Sequence, residues 1–584
     1  MRANYFCLAV MVFLNSLVQT FSVPSSLKEG ILCNLCRDAQ QKLFSLADEN
    51  LDGFVKLAMK ICKLGVSPNK CNYFVKNKGL NLIPAKMEFL RKSDYFCSQQ
   101  LMFCESKLSK FSIDKFTKDL YNKYPPVESP KTKNGKAFNA LTLNDIHVQP
   151  NYAPKSSIVC PDNVGCCSAE YGFPMNEKLQ AGYWGSPNAP CDIPTHLFEK
   201  TLEEIRDRAK AGEFDMIFVL GDIPGHNYFT QPDDYVANVT SYVFRRLKEV
   251  VGIPVVPVVG NHEGHPVDFF DFDDPNSYGR KHIYGAFKDL ITEQEYDQLN
   301  DSGFFERELP ENNIKLIAFN TQLMDYYNDF LTRNGTNPLG SLDKLAKTFS
   351  ESERKGQKVV FLTHIPPHDS KGSITFPRCL HVIFDRFKST LTAVLSGHTH
   401  KDQLKFFTSD ELTFGINFIS PSLTTEGSHR PSFRIYEFRE GEVYDYRQFN
   451  ANIDEFNKRA RNDDFDLNFE LAYEFRNEYA LKGSKPSEYL DLKDALQDLD
   501  GEALKKYAAH QYTQPRPYSM EELRIIVCNF EGEKQRLDRC LEPFLPPPSL
   551  SDRFEQLYRI LFENEWFVSK DSREREPDMS LAKS

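Results

Sequence analysis

Six short apolar runs, at 138–143, 216–220, 255–259, 314–319, 359–362 and 393–395, punctuate the middle of the chain. Runs this short and this continuously apolar read as buried strands. Stretches with helical spacing fall between several of them, including 194–211 and 234–251. Strand and helix in alternation predict an α/β architecture of layered sheets, a β-sandwich core with helices outside, over 138–450. The pattern differs on either side. In 28–108, Leu43, Leu46, Leu51, Phe54, Val55, Ala58 and Met59 recur near a 3.6-residue period, which predicts an all-helical unit. The stretch 117–137, rich in proline, lysine and polar residues from Tyr124 onward, reads as an extended linker that lets the first unit move. In 455–584 the pattern weakens. There 470–481 and 521–528 look helical, and the charged tail after Asp571 reads as disordered.

At 584 residues the chain exceeds one ordinary core, as this division requires. A net charge of −11 argues against a general nucleic-acid binder. The segment 1–22, with Arg2 ahead of a mostly apolar stretch, predicts a secretory signal cleaved near Ser22. No later run of about 18 apolar residues follows, so the mature protein is expected to be soluble. Thirteen cysteines remain beyond Cys7, at 33, 36, 62, 71, 97, 104, 160, 166, 167, 191, 379, 528 and 540. In a secreted chain such clusters read as disulfides, including Cys160, Cys166, Cys167 and Cys191 together and Cys528 with Cys540, leaving Cys379 over. Three acceptor sequons begin at Asn238, Asn300 and Asn334. The expected address is extracellular or lysosomal.

Five motifs close the apolar runs: Asp145-Ile146-His147, Gly221-Asp222, Gly260-Asn261-His262-Glu263, Thr363-His364 and Gly397-His398-Thr399-His400. Ligand sites in open α/β sheets lie at this strand edge. The motifs collect oxygen and nitrogen ligands for divalent ions, and imidazole suits zinc. Two ions about 3.5–4 Å apart can clamp a phosphoryl group and generate hydroxide near neutral pH. Each motif alone is commonplace, but all five in order at strand ends point to a metal site.

This order resembles the calcineurin-like metallophosphoesterases. The resemblance implies one ion on Asp145, His147, Asp222 and His400. It implies a second on Asp222, Asn261, His364 and His398, with a bridging hydroxide attacking phosphorus. The purple acid phosphatases carry a tyrosinate three residues after the bridging Asp, where this chain has Gly225. The loop Ile223-Pro224-Gly225-His226 instead resembles the acid sphingomyelinase family. So do Ala181-Gly-Tyr-Trp-Gly185, Cys191-Asp-Ile-Pro194, His364-Ile-Pro-Pro367 and Ser420-Pro-Ser-Leu-Thr-Thr425.

The cysteine spacing of 28–108 resembles a saposin B-type domain, which implies the pairs Cys33–Cys104, Cys36–Cys97 and Cys62–Cys71. Between Lys28 and Lys110 stand 14 Lys and Arg against 8 Asp and Glu, a basic unit suited to an anionic membrane surface. Together the resemblances imply a phosphodiesterase with two zinc ions, hydrolysing sphingomyelin to ceramide and phosphocholine. His226 and His262 would be its acid candidates, since imidazole titrates near neutral pH. Two other functions stay open: a phosphodiesterase of nucleotides or other phospholipids, and a lipid-binding protein with a vestigial hydrolase domain. The loop Glu426-Gly-Ser-His-Arg-Pro431 departs from the family, which usually has Asn-Pro there. Oligomeric state has no signature in the sequence.

Overall fold

The computed structural model describes residues 113–128 and 135–531, apart from 326, 333–335, 368–374, 410–411, 483–485 and 514–515, together with parts of 33–72. The signal, the charged tail, Asn334, the three saposin-type pairings and the Cys528–Cys540 bridge lie wholly or partly outside these residues. Cys33, Cys71 and Cys528 are each disulfide-bonded. Helix α1 (Leu51–Cys62) carries the predicted period. Helix α2 (Ile113–Lys123) occupies the first part of the expected linker and corrects its boundary. It does not hang free. Leu120 is buried in the main core, and the Arg386 guanidinium donates to the Tyr124 and Pro125 carbonyls at 2.6 and 2.7 Å. The same guanidinium pairs with buried Glu353 at 2.9 Å, so the chain leaving α2 is fastened to the two helices that carry Arg386 and Glu353.

Two six-stranded sheets share one hydrophobic core. In the first, β1 (Phe138–Leu143), β2 (Met216–Val219) and β3 (Val255–Pro257) run parallel. Helices α3 (Thr195–Lys210) and α4 (Tyr235–Val250) connect them. Helix α4 buries Val236, Val239, Val243, Phe244 and Leu247, the stripe expected of an amphipathic helix on a sheet. In the second sheet β4 (Phe304–Leu309) lies antiparallel to β5 (Ile314–Phe319). Strands β6 (Lys358–Leu362) and β7 (Leu391–Ser396) follow β5 in parallel. Helices α5 (Ser341–Lys355) and α6 (Thr375–Arg386) belong to this half. Strand β9 (Leu412–Ile419) extends the sheet beside β7, with β8 (Gln403–Ser409) antiparallel at its edge.

Strands β10 (Ser432–Arg439), β11 (Glu442–Asn450) and β12 (Glu470–Glu474) complete the first sheet. Here one expectation changes. Residues 470–474 are a strand rather than the start of a helix. The sequence Glu-Leu-Ala-Tyr-Glu favours helix locally, but pairing with β11 and burial of Tyr473 override that weak preference. The region after 455 packs onto the main core. Leu467, Phe469, Tyr473, Leu492, Leu504 and Tyr507 lie in the same hydrophobic core as β1. Helices α7 (Glu502–His510) and α8 (Met520–Cys528) do form, the latter with a Ser519/Glu522 capping box.

Two disulfides, Cys160–Cys166 and Cys167–Cys191, staple the loop after β1, and Cys379 is a buried free thiol. Asn238 is exposed on α4, whereas Asn300 is half-buried and its amide donates to the Tyr296 carbonyl. Among the described residues no helix is long and apolar enough to cross a membrane.

Candidate metal centre

The parallel strands end at one edge, and the loops there are laced together by backbone hydrogen bonds. Asp145 N–H donates to Gly221 O at 3.0 Å, His147 N–H to Asp222 O at 3.1 Å, and Gly397 N–H to His364 O at 3.0 Å. The turns are sharp. Asp145, His147, Asp222, His398 and His400 all have positive φ, between 44° and 73°. Such a backbone costs a non-glycine residue about 1–3 kcal/mol and persists only where the surroundings over-determine it. At 145 and 147 the result is that both side chains reach the centre while Ile146 is buried in the core. Two glycines make the approach possible. A Cβ on Gly221 would lie 2.5 Å from Gly260 N, and one on Gly260 would lie 2.2 Å from Asp222 Oδ1. No side chain fits between these loops.

All seven expected ligands meet here. His364 Nε2 stands 3.1 Å from Asp222 Oδ2 and 3.0 Å from Asn261 Oδ1. His398 Nδ1 is 3.1 Å from the same Asn261 oxygen. On the other side His147 Nε2 lies 3.7 Å from Asp222 Oδ2 and 3.1 Å from His400 Nε2, which is 3.6 Å from Asp145 Oδ1. Asp222 therefore sits between the two groups. The far nitrogens of two rings are fixed by carbonyls: His364 Nδ1 by Leu220 O at 2.7 Å and His147 Nδ1 by Pro224 O at 2.9 Å. These bonds turn the Nε2 atoms inward.

His226 and His262, the acid candidates, join the same cluster. The His226 ring centroid is 4.2 Å from that of His147 and 4.6 Å from that of His262. His226 is held by Asp192, whose carboxylate meets its Nδ1 at 2.8 Å and accepts its backbone N–H at 2.6 Å. Thr424 Oγ1 donates to the same carboxylate.

Electrostatics test whether these donors suit cations. Burial, then the neighbouring imidazoles, hold His147 well below its usual pKa, and His400 likewise. Both are neutral bases with lone pairs to give. Burial opposes protonation of His364, but Asp222, Asp145 and Glu263 overcome it and raise its pKa to about 9. Burial raises Asp145 to about 7, despite His364. Burial also works against ionisation of Asp222, yet His364 and His262 take it well below the usual carboxylate range. Three sets, His147/His226/His400, His147/Asp222/His262 and Asp222/His364/His398, each bring their ligand atoms within 4.8 Å of one another. Neutral imidazole nitrogens converging on carboxylates and an amide oxygen fit divalent cations.

Three supporting residues were not assigned from the sequence. Glu263 accepts the N–H groups of Asp222 and Ile223 at 3.1 and 2.7 Å and bonds Gly260, tying two motif loops together. Burial, then Asp222, raises its pKa to about 7. Asp192 lies inside the Cys191-Asp-Ile-Pro194 motif, so its signal was present. Glu426, in the departing loop, is buried with an oxygen 3.7 Å from His400 Nδ1.

Residues 138–402 match the calcineurin-like phosphoesterase family. Among curated proteins, sphingomyelin phosphodiesterase 2 of Caenorhabditis elegans is 28% identical over 64% of this chain and 65% of its own length. Sphingomyelin phosphodiesterase 1 of the same organism is 30% identical over 56% of this chain and 59% of its own length. Each alignment thus spans less than two thirds of the relative. The cyclic GMP-AMP phosphodiesterase SMPDL3A of Rattus norvegicus is 24% identical over 62% of this chain and 82% of its own length.

Proposed function

We propose that this chain, a homologue of the sphingomyelin phosphodiesterases with a calcineurin-like phosphoesterase domain, hydrolyses sphingomyelin to ceramide and phosphocholine. The observation that carries the reading is the buried cluster in which Asp222 lies within 3.7 Å of imidazoles from both sides. Asp145, His147, Asp222 and His400 would hold one ion, and Asp222, Asn261, His364 and His398 the other, with zinc suited to the imidazole majority. Bound there, a pair of divalent cations supplies Lewis acidity at the phosphoryl oxygens and a nucleophilic hydroxide. The chain's own residues do the rest. Asn261 limits the negative charge of the donor set. His226, steadied by Asp192, delivers a proton to the departing alkoxide, and His262 orients the phosphate beside it. The basic cysteine-rich unit of 28–108 brings the protein to a membrane surface, and its disulfides fit the secretory route.

Two predictions arise here. Phosphocholine release from sphingomyelin liposomes should be abolished by a chelator and restored by zinc. Parallel assays with a cyclic dinucleotide address the second reading, which the match over 82% of a cyclic GMP-AMP phosphodiesterase favours. Dinucleotide cleavage without phosphocholine release would establish that reading instead, and cleavage of neither would mean a vestigial site. Metal uptake should also release protons. In the metal-free protein at pH 7, His364 (about 9) is protonated and Asp145 (about 7) is half protonated. Zinc must displace these, so calorimetric titrations in buffers of different ionisation heat should report a net release of about one proton or more. A heat independent of buffer would contradict it.

A further inference from the structure

The family match ends at residue 402, yet the loop bearing His398 and His400 is held from beyond it. The near end of the loop is fixed inside the match, where Asp145 accepts the His398 N–H at 2.9 Å. The far end converges on one buried carboxylate, Asp402, two residues after His400. Asp402 Oδ1 is 2.6 Å from Arg434 Nη2 on β10. The Tyr473 hydroxyl on β12 donates to its other oxygen. Its backbone N–H donates to the Gln511 carbonyl, just past α7, at 3.0 Å. Arg434 is fully buried, its Nε donating to Gln448 at 2.8 Å and its guanidinium lying 3.9 Å over the Tyr446 ring. The residue between follows the same rule: Lys401 Nζ meets the Tyr512 hydroxyl at 2.5 Å.

A fully buried ion pair is a poor source of stability, because the desolvation of both charges offsets most of their attraction. Well-packed apolar residues would hold two sheets together as well. What they could not do is fix a polar loop in direction. His400 needs that, because its backbone sits at φ 60°, a conformation that relaxes unless the surroundings impose it. We propose that Asp402, Arg434 and Tyr473 are positioning residues that hold His400 at the metal centre. The chain beyond 402 is then a working part of the site rather than an appended layer. This rests on the dimetal reading above.

The test uses the full chain with Tyr473→Phe, Arg434→Met and Arg434→Lys, and reads bound zinc per chain at fixed free zinc beside the melting temperature of the metal-free protein. Tyr473→Phe removes one hydroxyl and keeps the ring, so it decides the matter if Arg434→Met does not fold. The expected result is a folded Tyr473→Phe protein whose weaker zinc ion needs about 10–100-fold more metal for half saturation, the cost typical of a lost supporting partner. Arg434→Met should be affected more and Arg434→Lys less. With excess zinc, kcat on a soluble diester should recover while KM stays level throughout. Unchanged zinc affinity in a folded Tyr473→Phe protein would overturn the proposal and leave these residues a purely structural role. A wild-type protein that takes up no zinc would instead overturn the dimetal reading beneath it.

Discussion

Asp222→Asn should yield a folded protein that binds less than its full pair of metal ions and has no measurable turnover. The substitution is a fair test because asparagine tolerates the left-handed backbone that residue 222 adopts, at φ 57°. The hydrogen bonds through its backbone to Glu263 and His147 survive, as does an acceptor for the His262 N–H, 2.9 Å away. What disappears is the charge. Two divalent cations about 4 Å apart repel by four times the unit-charge value, roughly 16 kcal/mol at an effective dielectric near 20. Asp222 is the carboxylate that lies between the two halves of the cluster, and a neutral amide cannot offset that repulsion. The loss in metal affinity should therefore exceed the roughly 10–100-fold seen when only a supporting partner is removed. Metal analysis of the dialysed variant beside its turnover decides the point. Two retained ions with full activity would remove Asp222 from between the metals.

The site was legible because its chemistry is written in contiguous pieces. Each motif is two to four residues long and follows a short buried strand, as Gly221-Asp222 follows Met216–Val219. The supporting residues were harder to see. Asp192 and His226 are 34 residues apart, and Arg434 and Asp402 come from different layers. No periodicity links such pairs. Strands β10 to β12 escaped for a related reason. Arg434, Gln448 and Tyr473 are polar residues buried inside a network, and a hydrophobic pattern cannot register them as core. The linker begins later than expected because 117–123 is mostly polar, and its one buried anchor, Leu120 on α2, leaves no hydrophobic pattern in so short a stretch.

His226→Ala should slow the cleavage of sphingomyelin by roughly 10²–10⁴-fold, the range expected on removing a general acid, while both metal ions stay bound. The structure gives His226 two possible occupations. Its ring lies in one of the clustered sets with His147 and His400, which would suit a ligand. But it belongs to none of the five motifs that carry the other donors, and its Nδ1 meets a carboxylate, Asp192 at 2.8 Å, rather than a backbone carbonyl like those that hold His147 and His364. That geometry sets the ring beside the centre with a carboxylate behind it, which suits a proton donor to an alkoxide. The two occupations separate on the leaving group. A ceramide alkoxide needs a proton as the P–O bond breaks, whereas nitrophenolate leaves without one. An acid role therefore predicts a large loss on sphingomyelin and a small one on a nitrophenyl diester. Asp192→Asn should follow the same pattern at reduced size, because it loosens the ring without removing it. Equal losses on both substrates, with metal content intact, would make His226 a phosphate-positioning residue, and loss of an ion would make it a ligand.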